Sequence, residues 1–220
     1  MNTEINIKPQ AAIFDLDGLM LDTERPFLSD FKKISETRGW DISEDILIQT
    51  IGIDNRATKD FLCKNMGQDF PFDEIYGETN CKQVERFERE GIPHRPGLLS
   101  LLDYLKDKKI PMAVATSTWA ERGRWKLKCG AIEQYFAFVI TGDQVSHGKP
   151  APDIFLRAAE KLGFECSACA GLEDSPAGLR ALKAAGIRSI FIKDLLEPPA
   201  EILETVWRRC TSLTEVRALF

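Results

Sequence analysis

The stretch Ala11-Ala12-Ile13-Phe14-Asp15-Leu16-Asp17-Gly18-Leu19-Met20-Leu21-Asp22 carries an apolar run that ends in two carboxylates one residue apart. Four apolar residues in a row suit a strand buried on both faces of a parallel sheet. In extended backbone, residues two apart point the same way, so Asp15 and Asp17 project together from the strand end. Close carboxylates repel, and one takes up a proton unless a cation compensates. Hard oxygen donors of this kind suit Mg²⁺. Gly18 permits the tight bend that carries the chain off the sheet. A calcium-binding EF loop does not fit, because Leu19 and Leu21 fall at ligand positions. Alone, a D-x-D pattern is usually a polar strand end or turn, and its weight comes from its surroundings.

Outward from this stretch, short apolar runs alternate with helical periodicity. Strand candidates are 11–14, 110–116, 136–141, 169–172 and 189–192. LLSLLDYLK at 98–106 has apolar residues at helical spacing, as do Ile154, Phe155, Ala158, Ala159 and Leu162, which stop at Gly163. Ser175-Pro176 reads as an N-cap with a first-turn proline, and Gly186 closes that helix. The alternation predicts an α/β fold: a Rossmann-like parallel sheet core with helices on both faces. Sites in such sheets lie at the C-terminal ends of strands.

One segment departs from the rhythm. From about Thr23 to Arg95 there are helix patterns and no convincing strand: Phe27 to near Gly39, about Arg56–Met66, and about Phe72–Glu90. The expected organisation is a core of 1–22 and 96–220 with an inserted all-helical cap of 23–95. The insertion carries 11 basic and 15 acidic residues, most of the chain's net charge of −5. It reads as a solvated helical surface or as a movable cap over a site on the sheet. Phe27, Trp40 and Phe61 fit either an apolar pocket wall or plain packing.

Composition narrows the function. The chain has 220 residues, 44% hydrophobic and 29% charged, which is ordinary globular material. No apolar run approaches the ~20 residues that cross a bilayer. The polar opening MNTEINIKPQ contains no secretory h-region. No basic face is visible, so a nucleic-acid partner is not expected. The expected location is cytoplasmic. Six scattered cysteines suit free thiols, and Cys166-x-x-Cys169 has no second CxxC or His pair to complete a zinc site, which leaves a redox pair as its alternative role.

The other strand ends add chemistry. Thr116-Ser117-Thr118 offers hydroxyls for a phosphate, or an N-cap for the next helix. Lys149 precedes Pro150 and is biased to extended backbone at the mouth of a helix. Glu173 and Asp174 close the fourth strand, able to complete a metal site or to favour a helix N-terminus.

Together these motifs resemble the haloacid dehalogenase-like hydrolase superfamily, in the subgroup with a helical cap after the first motif. DLDG at 15–18, Thr116 in VATST, Lys149 in KPAPDIF and Glu173-Asp174 in GLEDSPAG match its four motifs in order. LMLDTE, KPAPDIF and GLEDSPAG are similar to the β-phosphoglucomutase and sugar-phosphate phosphatase branch.

The resemblance implies that Asp15 is a nucleophile forming a phospho-aspartate and that Asp17 is the general acid and base. It implies Mg²⁺ held by Asp15, the Asp17 carbonyl and Asp174, with Glu173 direct or through water. Thr116 and Ser117 would bind the phosphoryl oxygens, and Lys149 would neutralise charge. Thr23, Gly52 and Arg56 are the implied cap contacts to substrate. The expected substrate is a small phosphomonoester, a sugar or polyol phosphate, handled by a monomer. Dehalogenases and phosphonatases disagree with the acid at Asp17. β-Phosphoglucomutases carry His where this chain has Phe27, and Arg56 falls one place later than their cap arginine. That departure favours hydrolysis over a mutase. A non-catalytic binding module would be expected to lack a motif residue, and none is missing.

Overall fold

The computed structural model describes residues 8–51 and 55–220. By its contacts the chain forms two units, Met1–Leu21 with His94–Phe220, and Asp22–Pro93. In chain order the elements are β1 (Ala11–Phe14), α1 (Glu24–Thr37), α2 (Glu44–Ile48), α3 (Asn55–Met66), α4 (Phe72–Glu90) and α5 (Leu98–Asp107). There follow β2 (Met112–Thr116), α6 (Ala120–Cys129), β3 (Phe138–Thr141), α7 (Asp153–Leu162), β4 (Cys169–Glu173) and α8 (Pro176–Ala185). β5 (Arg188–Ile192), α9 (Ala200–Leu203), β6 (Arg208–Cys210) and α10 (Leu213–Val216) complete the chain.

In the first unit the strands form one parallel sheet in the order β3-β2-β1-β4-β5-β6. Every residue of β1, β2 and β4 is buried, which requires cover on both faces. One side of the core joins Ile13, Ala115 and Ile140 of the sheet to Ile154, Phe155 and Ala158 of α7 and Leu182 of α8. Each large side chain buried in this way contributes roughly 1.5–3 kcal/mol. The signals around α8 act as read from the sequence: Ser175 Oγ accepts from Gly178 N at 3.0 Å, and Gly186 takes the left-handed C-cap. The chain runs from β1 outward to β3, then returns across β1 to β4. The resulting switch point lies at the C-terminal ends of β1, β2 and β4.

Three short elements of this unit carry no sequence signal. β6 is the three residues Arg-Arg-Cys with two of them exposed, so it shows no apolar run. α9 and α10 have four residues each, too short for a periodic pattern.

The second unit consists of helices among its described residues. Phe31, Ile34, Leu47, Leu62, Phe72 and Ile75 form its core, and α1 packs along α4. Phe27, Trp40 and Phe61 pack against that core, and the Phe27 ring lies 5.5 Å from Tyr76 and 6.0 Å from Phe31. These aromatics therefore take part in the packing of this unit. Among the described residues no helix is long and apolar enough to cross a membrane.

Candidate active site

Asp15 follows β1 directly, and its N–H donates to Leu172 O of β4 at 3.1 Å. This parallel pairing brings the end of β4 beside Asp15. Carboxylate oxygens of Asp15, Glu173 and Asp174 lie within 4.8 Å of one another. Gly18 bends the chain at φ +79°, and a Cβ there would stand 2.3 Å from Asp174 Oδ2. Glycine thus meets both a left-handed backbone and a close approach to a carboxylate.

Lys149, carried by the loop after β3, donates to Asp15 Oδ1 and to Glu173 Oε1, the latter at 2.5 Å. The other oxygen of Glu173 accepts from Asp174 N and Ser175 N, both at 3.1 Å, and from Ser175 Oγ at 2.9 Å. Glu173 is fully buried with both oxygens engaged. It is built to hold Lys149 and the first turn of α8 in place. Burial pushes the Asp15 carboxyl up to about 7, with Lys149 opposing and Glu173 adding to the rise. Burial works against the charge on Lys149, but Asp15 and Glu173 outweigh it and hold the ammonium protonated.

Asp17 is gripped at both oxygens. Lys126 Nζ lies 2.5 Å from Oδ1, and Thr118 Oγ1 donates to Oδ2 at 2.8 Å. Thr116 is buried, and its Oγ1 accepts from Thr118 N at 3.1 Å, while Ser117 is exposed in the bend after β2. The hydroxyls of this bend do not cap α6. Asp143 does, accepting from Ala120 N at 3.0 Å. A further carboxylate, Asp194, lies just past β5 and pairs with Arg95 at 2.8 Å.

The sequence-predicted Asp15, Asp17, Thr116, Ser117, Lys149, Glu173 and Asp174 all stand at the C-terminal ends of β1 to β4 or in the loops that follow. Lys126 and the partnership of Thr118 with Asp17 had no sequence signal, because a lone lysine among the charged residues of α6 looks solvated. Of the implied cap contacts, Thr23 is buried at the start of α1, and its carbonyl accepts from Gln83 Nε2 at 2.7 Å. Arg56 is exposed in the first turn of α3, and Gly52 lies outside the described residues. Cys166 and Cys169 are free thiols, and burial, with Cys166 adding, pushes Cys169 up to about 11, which does not suit a redox pair.

The carboxylate oxygens gathered from Asp15, Glu173 and Asp174 are all hard donors. Lys149 offsets part of their repulsion, and donors of this chemistry fit a hard divalent ion such as Mg²⁺.

A parallel sheet whose switch point gathers a buried carboxylate, a buried ammonium and further acids defines an α/β enzyme site. The chain belongs to the haloacid dehalogenase-like hydrolase family, whose model matches residues 12–192. It is 30% identical over 182 residues to the phosphorylated carbohydrates phosphatase of Thermotoga maritima, covering 83% of this chain and 84% of that one. It is 31% identical over 202 residues to a probable pseudouridine-5'-phosphatase of Drosophila melanogaster, covering 88% and 86%. Among solved structures it is similar to a Thermotoga maritima protein provisionally named a beta-phosphoglucomutase. That match has a TM-score of 0.80 and 27% identity, and covers 96% of this chain and 97% of the other.

Proposed function

We propose that this enzyme is a Mg²⁺-dependent phosphatase that hydrolyses a small sugar or polyol phosphate through a phospho-aspartate. The observation that carries the reading is the pairing of a buried Asp15 with Lys149, beside Asp174 and two residues from a second, held carboxylate. The names of the two curated relatives support a phosphorylated substrate.

In the first step an Asp15 oxygen attacks phosphorus in line, and the bond to the substrate oxygen breaks. Asp17, as the acid, gives its proton to that oxygen and the alcohol leaves. In the second step Asp17, now carboxylate, takes a proton from water. The water oxygen attacks phosphorus, the bond to Asp15 breaks, and orthophosphate leaves. Lys149 offsets the charge of Asp15 and of the phosphoryl oxygens, and Thr116 and Ser117 orient those oxygens. Asp15, the Asp17 carbonyl and Asp174 would hold Mg²⁺, which when bound supplies the positive charge that lets a carboxylate meet an anionic phosphate. Glu173 fixes Lys149 and would stand beside the ion, directly or through water. Thr23, Gly52 and Arg56 are proposed as substrate-selecting residues on resemblance alone.

The mutase reading is favoured only by the likeness to the beta-phosphoglucomutase fold. Phe27, at the position where mutases carry histidine, cannot exchange protons. The test is orthophosphate release from sugar and polyol monophosphates with Mg²⁺, with chelator, and with Asp15→Asn. The panel includes β-glucose 1-phosphate with and without the 1,6-bisphosphate, followed by ³¹P NMR. Release that needs both metal and Asp15 is the expected result. Isomerisation of the 1-phosphate without release would make the enzyme a mutase.

A further inference from the structure

Lys126 has no place in the family motifs read from the sequence, yet only 10% of its side chain is exposed. It sits on α6 among the buried residues Gly123, Lys126 and Leu127, which form one face of the helix. Beyond the helix end, a Cβ on Gly130 would stand 2.8 Å from Leu21, so this face lies directly on the loop after β1. That packing delivers the ammonium to Asp17 Oδ1 at 2.5 Å, while Thr118 holds Oδ2. Burying an ammonium costs several kcal/mol unless it is well paired, and an apolar residue of the same length would pack there without that cost.

Resting on the phosphatase reading above, we infer that Lys126 is the positioning residue of the acid-base group: with Thr118, it fixes the Asp17 carboxylate in the direction needed for proton transfer. Both anchors belong to the same unit as Asp15. The carboxylate is therefore held before substrate arrives and while the phospho-aspartate waits for water.

The test separates the two half-reactions with p-nitrophenyl phosphate, whose leaving group needs no acid. Rapid-quench intact-mass measurement follows the phosphorylated enzyme. Lys126→Met is expected to form the phospho-enzyme within about threefold of the wild-type rate and to lose it about 10-fold or more slowly, a fraction of the usual acid-base contribution. Lys126→Arg should restore part of the decay rate. Thr118→Val is expected to show the same split, and it decides the matter should Lys126→Met not fold. Equal slowing of both steps, or no slowing of decay, overturns the inference. Wild type run alongside keeps the two readings distinguishable. If wild type forms no phospho-enzyme and releases no phosphate, the phosphatase reading falls. If wild type turns over while the variants decay normally, only the role of Lys126 falls.

Discussion

Lys149 bridges Asp15 and Glu173 with only 5% of its side chain exposed, so its charge is met by these two acids and by little water. Its removal leaves both acids uncompensated in a medium that screens poorly. Lys149→Ala should lower kcat/KM by about 10²-fold or more, the scale of losing one electrostatic stabiliser of a transition state. Steady-state kinetics beside circular dichroism will check that the loss is chemical. Lys149→Arg should rescue poorly, because a planar fork does not replace a compact ammonium between two carboxylates. Asp15 itself, raised to about 7, holds a proton that a cation must displace. Apparent Mg²⁺ affinity should therefore rise as pH increases from 6 to 8. Calorimetric titration at three pH values measures this, and a flat response would contradict the raised titration of Asp15.

At the scale of elements, the first turn of α8 and the end of β4 are fitted to each other. A Cβ on Gly178 would stand 1.7 Å from Glu173 Oε1, so that helix closes over the carboxylate only because the position carries no side chain. Gly178→Ala should destabilise by about 1–3 kcal/mol, the usual cost of overpacking. It should also lower activity, because Glu173 must shift and Lys149 with it. Chemical denaturation and kinetics together test the pair. In the helical unit, Asp30 on α1 is buried and pairs with Lys82 at 3.0 Å and Arg86 at 2.6 Å on α4. Burial alone would raise its pKa, but the bonds from Arg86 and Lys82 outweigh it and hold the carboxyl below its usual 3.8. A depressed folded value means the pairing stabilises above pH 3.8 and is lost as pH falls through the folded value. Asp30→Ala should cost about 1–3 kcal/mol at pH 7. This lies below a fully buried pair, because both cations retain access to water. The difference from wild type should shrink near pH 3, as read by denaturation at both pH values.

For the molecule as a whole, the site trades stability against readiness. Between pH 3.8 and about 7 folded Asp15 keeps a proton that the unfolded chain has released. The metal-free fold therefore loses stability as pH rises through that window. Asp15→Asn should remove this dependence and leave the metal-free protein more heat-stable than wild type at pH 8. Mg²⁺ should raise the thermal midpoint of wild type and not that of Asp15→Asn, because a ligand bound only by the folded state stabilises it. Thermal scans of both proteins with Mg²⁺ and with chelator measure the effect.

The parallel core was legible because most of its strands are short apolar runs punctuated by turn residues, because Asp15 and Glu173-Asp174 sit where two of those runs stop, and because Lys149 precedes a proline at the mouth of a helix. Strand ends are local features, so one-dimensional order carries them. The helical insertion showed in the same way, through a change of period. What only the tertiary structure decided is what each charge faces. Lys126 meets Asp17 across 109 positions, and both oxygens of Glu173 are taken up by Lys149, Ser175 and the backbone. Phe27 packs on Phe31 and Tyr76, partners that no sequence pattern names. Such partners come from the way helices lie on a sheet, and the sign of a charge does not encode its distance from another. β6 was hidden for the same reason: its three residues become a strand through pairing with β5, not through any pattern of their own.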